Sequence, residues 1–121
     1  MNFSFSSEIE GFRAEVRSFL ESYSELDGYL GQGSVWPEVH DLFRAMGERG
    51  WLSLAWPRAH GGQDRGPAWE YVLWDEVAYA RAARNPLSAG IVARSLIRYG
   101  TENQRSEWLP QIRTGELHFS L

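Results

Sequence analysis

The sequence contains no cysteine, no lysine, and no apolar run of the roughly 20 residues that a membrane helix requires. Without cysteine, disulfide scaffolds, thiolate catalysis and cysteine-ligated zinc sites are excluded. The first twelve residues show no basic stretch followed by an apolar one, so the sequence predicts neither a secretion signal nor a membrane protein. The expected location is the cytoplasm.

The charge balance is acidic. All twelve basic residues are arginine and the formal net charge is -4, which argues against a nucleic-acid-binding protein, since such proteins present a basic stripe to the phosphates. His40, His60 and His118 fall in three different predicted elements without metal-ligand spacing, so we predict no metal site. The 121 residues, 43% hydrophobic and 23% charged, instead indicate one globular domain.

Apolar residues at three- and four-residue spacing predict five helices separated by glycine and proline. The first helix covers about residues 7–25 and begins with a Ser7–Glu10 capping box. The glycine-containing residues 26–35 form a loop before a second helix that opens at Trp36 and ends at Gly50.

The last three helices are predicted from the same signals, namely capping residues, glycine and proline. The third opens at Pro67 and runs to about residue 83, and the fourth is capped by Ser88 and stops before Gly100. The fifth opens with Thr101 and Gln104 as a capping pair, is disrupted or restarted at Pro110, and ends at Gly115.

The final segment GELHFSL, residues 115–121, has a different period. Leu117, Phe119 and Leu121 alternate with His118 and Ser120, which is typical of a half-buried strand. A single strand cannot satisfy its own backbone groups and requires a partner. The fold class is therefore all-α, a bundle of about five helices over residues 1–115, with the beginning of something else at 116–121.

Two features could carry chemistry before any family is considered. Gly61, Gly62 and Gly66 do not match a phosphate-binding motif, so we favour a turn that needs glycine dihedrals. Glu76 projects into the apolar face of the third helix, where an unpaired carboxylate would be costly. We favour a structural acid bonded to an arginine or to backbone over a general base, because no partner for a base is evident.

The fourth helix has the most informative pattern. A helical wheel places six apolar residues on one arc: Ala89, Val92, Ala93, Leu96, Ile97 and Tyr99. Ile91 projects from the other side, among Ser88, Arg94, Ser95 and Arg98. Between Glu76 and Glu102 the only charges are Arg81, Arg84, Arg94 and Arg98, so this region is either a solvated basic face or a surface for an anionic ligand or partner domain.

In this order of elements, the sequence resembles the N-terminal helical domain of the flavin-dependent acyl-CoA dehydrogenases over essentially its whole length. The similar segments are FRAEVRSFL, ERGWLSLAWPRAHGG, LWDEVAYARA and YGTENQRSEWLPQIRTGE. The last is the most specific, because it combines a glycine stop, a T-x-x-Q cap, a Leu-Pro step and a Gly-Glu exit at fixed spacing. The loop at residues 26–35 follows no pattern of that family.

The resemblance implies a longer enzyme in which a β-barrel-like domain and a second helical domain follow. Residues 116–121 would begin the β domain and stop before the flavin-contacting segment. FAD and the catalytic carboxylate belong to those later domains, so no catalytic and no cofactor-binding residue is expected in this chain, which alone should be inactive. The parent enzyme would dehydrogenate an acyl-CoA thioester at its α,β-carbons and is expected to be a homo-oligomer.

The resemblance also implies a substrate-binding role. In this family the first helical domain helps to wall the acyl-chain pocket, and the matching positions are Pro86, Leu87, Gly90, Ile91 and Arg94. Arg94 is polar where an alkyl tail would favour apolar contact, which leaves room for a bulkier or more polar acyl group. The alternative is a non-catalytic helical interaction or oligomerisation module derived from this domain, which would self-associate through exposed apolar surface.

Overall fold

The computed structural model of the chain describes residues 4–26, 36–84 and 86–119. Within these ranges it contains five α-helices: α1 (Ser7–Leu20), α2 (Trp36–Glu48), α3 (Pro67–Tyr79), α4 (Ala93–Tyr99) and α5 (Glu102–Arg113). Short 3-10 helices at Trp51–Ser53 and Arg58–His60 follow α2, and a π-helix at Pro86–Val92 leads directly into α4. The all-α fold class is confirmed. All of the predicted 26–35 loop except Leu26, and the last two residues of the predicted strand, lie outside the described residues.

Helix α1 is shorter than its periodicity predicts. It ends at Leu20 and not near residue 25, because the chain turns and Leu26 N–H donates to the Arg81 carbonyl at 2.8 Å, beyond the end of α3. Its N-cap is Ser6 and not Ser7, since the Ser6 side chain accepts from Ile9 N–H at 3.3 Å. Both corrections concern the helix ends, where a competing hydrogen bond decides the boundary.

Helix α3 likewise ends early, at Tyr79, and Arg81 adopts a left-handed backbone angle of φ 57° that cannot continue a helix. Helix α5 shows the opposite deviation, because it passes through Pro110 without interruption. The predicted break there is wrong: the proline costs one backbone donor, while buried Leu109 and Ile112 anchor both sides of it.

Glycine permits the close approach of α2 to the end of α5. Gly115 ends α5 with φ 79°, and a Cβ on it would lie 2.4 Å from the Phe43 carbonyl oxygen. A Cβ on Gly47 would lie equally close, 2.4 Å, to the Thr114 carbonyl oxygen. The predicted stop at Gly115 is confirmed, and its tertiary role adds to its conformational one.

The buried side chains form two clusters. The larger joins α1, α2 and α3 around the Trp51–Ser53 turn, with the Trp51 ring edge-on to Phe12 and Phe19 at centroid distances of 5.7 and 4.9 Å. The smaller joins Trp56 to α4 and α5. The Trp56 indole N–H donates to the Ala89 carbonyl at 3.2 Å, which ties the smaller cluster to the π-helix.

The structure corrects the predicted fourth helix at two positions, Ser88 and Tyr99. Ser88 does not cap it; the helix begins at Pro86, and the buried Ser88 hydroxyl oxygen accepts from Phe119 N–H at 2.8 Å. Tyr99 is 77% exposed and not in the core, because it lies at the edge of the predicted arc and is the last residue of α4, whereas Ala89, Ala93 and Leu96 of the same arc are buried. Ile91 is 62% exposed, which confirms its position off the core.

Residues 116–119 are not assigned as a strand, but their side chains alternate as predicted. Leu117 and Phe119 pack against the smaller cluster, whereas the His118 ring lies against His40 and Phe43 at centroid distances of 4.9 and 5.2 Å. A strand is defined by pairing with a neighbour. The start of a β domain at this point stays a prediction.

Candidate functional site

A cleft of about 350 Å³ opens between α3 and the π-helix, and we call it the π-helix cleft. Gly90, Ile91 and Arg94, three of the five predicted substrate-binding residues, line it. Of the other two, Leu87 is half-buried and does not line the cleft, and Pro86 opens the π-helix. Its size falls in the range of small-molecule sites.

The opposite wall consists of residues that the sequence analysis did not select. Trp51, Leu52 and Trp74 supply aromatic and aliphatic surface there. Trp51 lies in ERGWLSLAWPRAHGG and Trp74 in LWDEVAYARA, two segments that carry the family resemblance but in which no binding residue is predicted. A signal was nevertheless present: α3 is apolar on nearly all sides, which indicates that more than one face is covered or lines a cavity.

Gly90 keeps one wall of the cleft open. A Cβ built on it would have no contact within 4 Å, and the structure records no positive φ at this position. A glycine inside a helix costs roughly 0.5–1 kcal/mol relative to alanine. Neither backbone strain nor crowding therefore requires glycine here, and residue 90 contributes no side chain to the wall of the cleft.

Arg94 is held by a carboxylate from α3. Its Nη2 donates to Glu70 Oε2, and the Arg94 and Glu70 side chains are 58% and 22% exposed. Arg81 pairs with Glu25 at 3.0 Å, and the Arg98 guanidinium lies 5.3 Å from the centre of the Tyr99 ring. Two of the four arginines of the predicted basic face thus already have carboxylate partners, which favours a structural, solvated face over an anion site.

Glu76 is a buried acid, 3% exposed, with two arginine partners from α1. Arg17 donates to both carboxylate oxygens, at 3.0 and 2.8 Å, and Arg13 donates to Oε1 at 2.7 Å. The hydrogen bonds from Arg17, aided by those from Arg13, lower the pKa of Glu76 in spite of its burial. The predicted structural role is confirmed, because a carboxylate stabilised as an ion in this way is a poor proton acceptor.

The glycine loop at residues 61–66 is a closed turn. Five successive backbone N–H groups, those of residues 61 to 65, donate to carbonyls of residues 53 to 58 at 2.8–3.1 Å. Gly61 has φ 81°, and a Cβ on Gly62 would lie 2.0 Å from the Trp56 carbonyl oxygen. Because these amides are already used within the protein, they cannot cradle a phosphate. The prediction of a turn is confirmed.

Neither a membrane-spanning helix nor a metal-binding cluster occurs in the described part of the chain. None of its helices has the length and apolar character needed to cross a bilayer. Its histidine, aspartate and glutamate side chains nowhere gather in a group of three that could hold a metal ion.

Comparison with known sequences gives one consistent family. The family described as acyl-CoA dehydrogenase, N-terminal domain, matches residues 6–116. Acyl-CoA dehydrogenase FadE26 of Mycobacterium tuberculosis is 35% identical over 130 residues, covering 100% of this chain and 32% of that protein. The mitochondrial long-chain specific acyl-CoA dehydrogenase of Rattus norvegicus is 30% identical over 115 residues, covering 93% of this chain and 26% of that protein. The chain spans about a third or less of the length of these relatives.

Solved structures agree with the sequence comparison. The ChsE4-ChsE5 complex from Mycobacterium tuberculosis superposes with a TM-score of 0.83 at 32% identity, covering 98% of this chain and 30% of that chain. The Tcur3481-Tcur3483 steroid ACAD superposes with a TM-score of 0.81 at 29% identity, covering 98% of this chain and 32% of that chain.

Proposed function

Because the chain belongs to the acyl-CoA dehydrogenase N-terminal domain family, we propose that it forms the helical wall of the acyl pocket in an FAD-dependent acyl-CoA dehydrogenase. The observation that supports this role is the π-helix cleft, in which Gly90, Ile91 and Arg94 face Trp51 and Trp74. An acyl chain gains free energy by burying its surface against such apolar walls.

The whole enzyme would dehydrogenate the acyl thioester at its α,β-carbons, a reaction for which FAD would supply the hydride acceptor and a carboxylate the base for the α-proton. Neither the 61–65 loop nor Glu76 suits these roles: the loop does not suit a flavin phosphate, and Glu76 does not suit the base. The amides of the 61–65 loop are already used, so the loop offers no phosphate site for FAD, and Glu76 is neutralised by Arg13 and Arg17. We therefore assign the base and the flavin contacts to the β and C-terminal helical domains of the same enzyme, which is proposed to act as an oligomer.

The proposed acyl group is bulky and polycyclic. Two features support this choice: Gly90 leaves its wall of the cleft open, and Arg94 places a polar group at the edge of an otherwise apolar surface. One structural neighbour of 29% identity is described as a steroid ACAD. A wide cleft with a polar edge suits a rigid ring system better than it suits a thin alkyl tail.

The test uses the enzyme that contains this chain together with its β and C-terminal helical domains. We expect Ile91→Trp to raise KM for a polycyclic acyl-CoA by about tenfold, because a larger ring would occupy the cleft. Tyr99→Trp is the matched control, since Tyr99 is exposed on the same helix and does not line the cleft. Flavin reduction by acyl-CoA with the 121-residue chain alone, or an unchanged KM in Ile91→Trp, would contradict the proposal.

A second candidate is a helical interaction module without catalysis. Tyr71 and Tyr79, 59% and 84% exposed, lie on the outward face of α3, and a partner protein that binds this face would bury them. This candidate predicts concentration-dependent self-association of the isolated chain, and sedimentation velocity would measure it. A monomer at all concentrations would count against this candidate and leave the enzyme proposal intact.

A further inference from the structure

A second cleft adjoins the π-helix cleft. It has a volume of about 410 Å³, lies beside Pro67 and Ile97, and is named here the Ile97 cleft. Glu70 and Arg94 line both clefts, and they are the residues that the two clefts have in common. Because Arg94 Nη2 donates to Glu70 Oε2, the two side chains form a bridge from α4 to α3 at the place where the clefts meet.

We propose that the Arg94–Glu70 ion pair is the end wall of the acyl cleft and sets the maximum length of the acyl group. This inference rests on the proposed function, because it assigns the π-helix cleft to the acyl group. An acyl group that stops short of the pair contacts Ile91, Trp51 and Trp74. A longer group would have to pass between Glu70 and Arg94 to reach the Ile97 cleft.

The energetics favour a wall that discriminates between short and long acyl groups. Passing an alkyl tail between the two side chains would break the ion pair and place apolar surface against the Glu70 carboxylate, whose side chain is only 22% exposed, without supplying new hydrogen bonds, which is unfavourable. The pair itself contributes little to the stability of the fold, because the Arg94 side chain is 58% exposed and surface ion pairs are weak. A residue pair that is dispensable for folding and stands between two clefts is well placed to act in specificity.

Two sets of variants should shift the substrate preference in opposite directions. The double substitution Arg94→Ala with Glu70→Ala joins the two clefts, and we expect it to raise the ratio of kcat/KM for palmitoyl-CoA to that for butyryl-CoA by about tenfold or more. Gly90→Val adds a side chain on the open wall of the π-helix cleft, and it should lower the same ratio. Glu70→Gln keeps the shape of the wall and should preserve the wild-type length limit.

The measurement is anaerobic bleaching of the flavin absorbance by butyryl-, octanoyl- and palmitoyl-CoA and by a polycyclic acyl-CoA, with the complete enzyme. Arg98→Ala is the matched control, because Arg98 lies one turn further along α4 and lines neither cleft. If the wild-type enzyme reduces flavin with neither a linear nor a polycyclic acyl-CoA, the proposed function fails. If it is active but the double variant, folded by circular dichroism, keeps the wild-type ratio, the end-wall inference alone is overturned, whatever the result for Gly90→Val.

Discussion

Arg17 and Glu76 form a bidentate pair although 59 residues separate them: Arg17 Nε lies 3.0 Å from Glu76 Oε2 and Nη2 lies 2.8 Å from Oε1. Arg13, one turn earlier in α1, adds a third bond to the same carboxylate at 2.7 Å. These bonds join α1 to α3 at a point where the carboxylate is buried. The pair therefore fixes the relative position of the two helices as well as neutralising a buried charge.

Removing the Glu76 carboxylate should destabilise the fold. We expect Glu76→Ala to lower the free energy of unfolding by about 2–4 kcal/mol, because the charge-assisted bonds to Arg13 and Arg17 are lost and Arg13 is left partly buried. Glu8→Ala is the matched control, since Glu8 pairs with Arg65 on the surface at 3.3 Å and should cost less than about 1 kcal/mol. Urea unfolding measures both, and equal losses would show that burial of the pair is unimportant.

The contact of α2 with the end of α5 should depend on Gly115. Gly115→Ala is expected to lower the free energy of unfolding by about 2–4 kcal/mol, because it strains a left-handed residue and forces the Phe43 carbonyl aside. Gly11→Ala is the control, and it should have the opposite effect on stability. Because Gly11 lies in α1 with open space around it, alanine there should raise the free energy of unfolding by about 0.5–1 kcal/mol. Thermal unfolding of the two variants tests the sign of each effect, and a harmless Gly115→Ala would refute the close-contact explanation.

The packing of His118 should make stability depend on pH. Burial of the ring, and then the charge of neighbouring His40, lower the pKa of His118 below its ordinary value of 6.5, while a backbone bond to Gly115 and the charge of Glu116 oppose this. The folded protein therefore binds this proton less readily than the unfolded chain does. The stabilisation is present above pH 6.5 and is lost as the pH falls through the folded pKa.

Urea unfolding on both sides of that pH checks the His118 prediction. The wild-type protein should lose stability on acidification, and His118→Phe should flatten that part of the dependence because the ring no longer titrates. Phe119→Leu removes packing from the same segment without removing a titrating group, so it should lower stability at every pH and leave the slope as it was. A steep acid slope that survives in His118→Phe would assign it to other groups.

The capping box of α5 should be measurable by itself. Gln104 N–H donates to Thr101 Oγ1 at 3.1 Å, and Thr101 N–H donates to Gln104 Oε1 at 2.9 Å. Thr101→Ala removes the first bond and should cost about 1 kcal/mol of unfolding free energy. Thr101→Ser keeps the hydroxyl and should fall close to wild type. Similar losses in both variants would mean that the methyl group, and not the hydrogen bond, accounts for the effect.

Patterns within a few neighbouring residues were sufficient to predict most of the helices. The Thr101–Gln104 box, the left-handed Gly50 and Gly115, and the apolar spacing of α1, α2 and α3 all act within one or two turns of chain. The sequence also shows that Glu76 needs a partner, because its position on an apolar face follows from helical geometry alone. The choice of Gly90, Ile91 and Arg94, which line the cleft, came from the family resemblance, and the helical pattern by itself placed only Ile91 outside the core.

What only the tertiary structure decided depends on groups far apart in the chain. The early end of α1 comes from hydrogen bonds to residues 80 and 81, and the partners of Glu76 and Arg94 lie on other helices. Tyr99, at the edge of the predicted apolar arc and at the end of α4, is exposed because no neighbouring element of the described chain covers it. Trp51 and Trp74 become one wall of a cleft only when the 51–53 turn packs beside α3. A sequence determines each residue's local preference, whereas the competition among distant hydrogen bonds and contacts is settled only when the helices pack together.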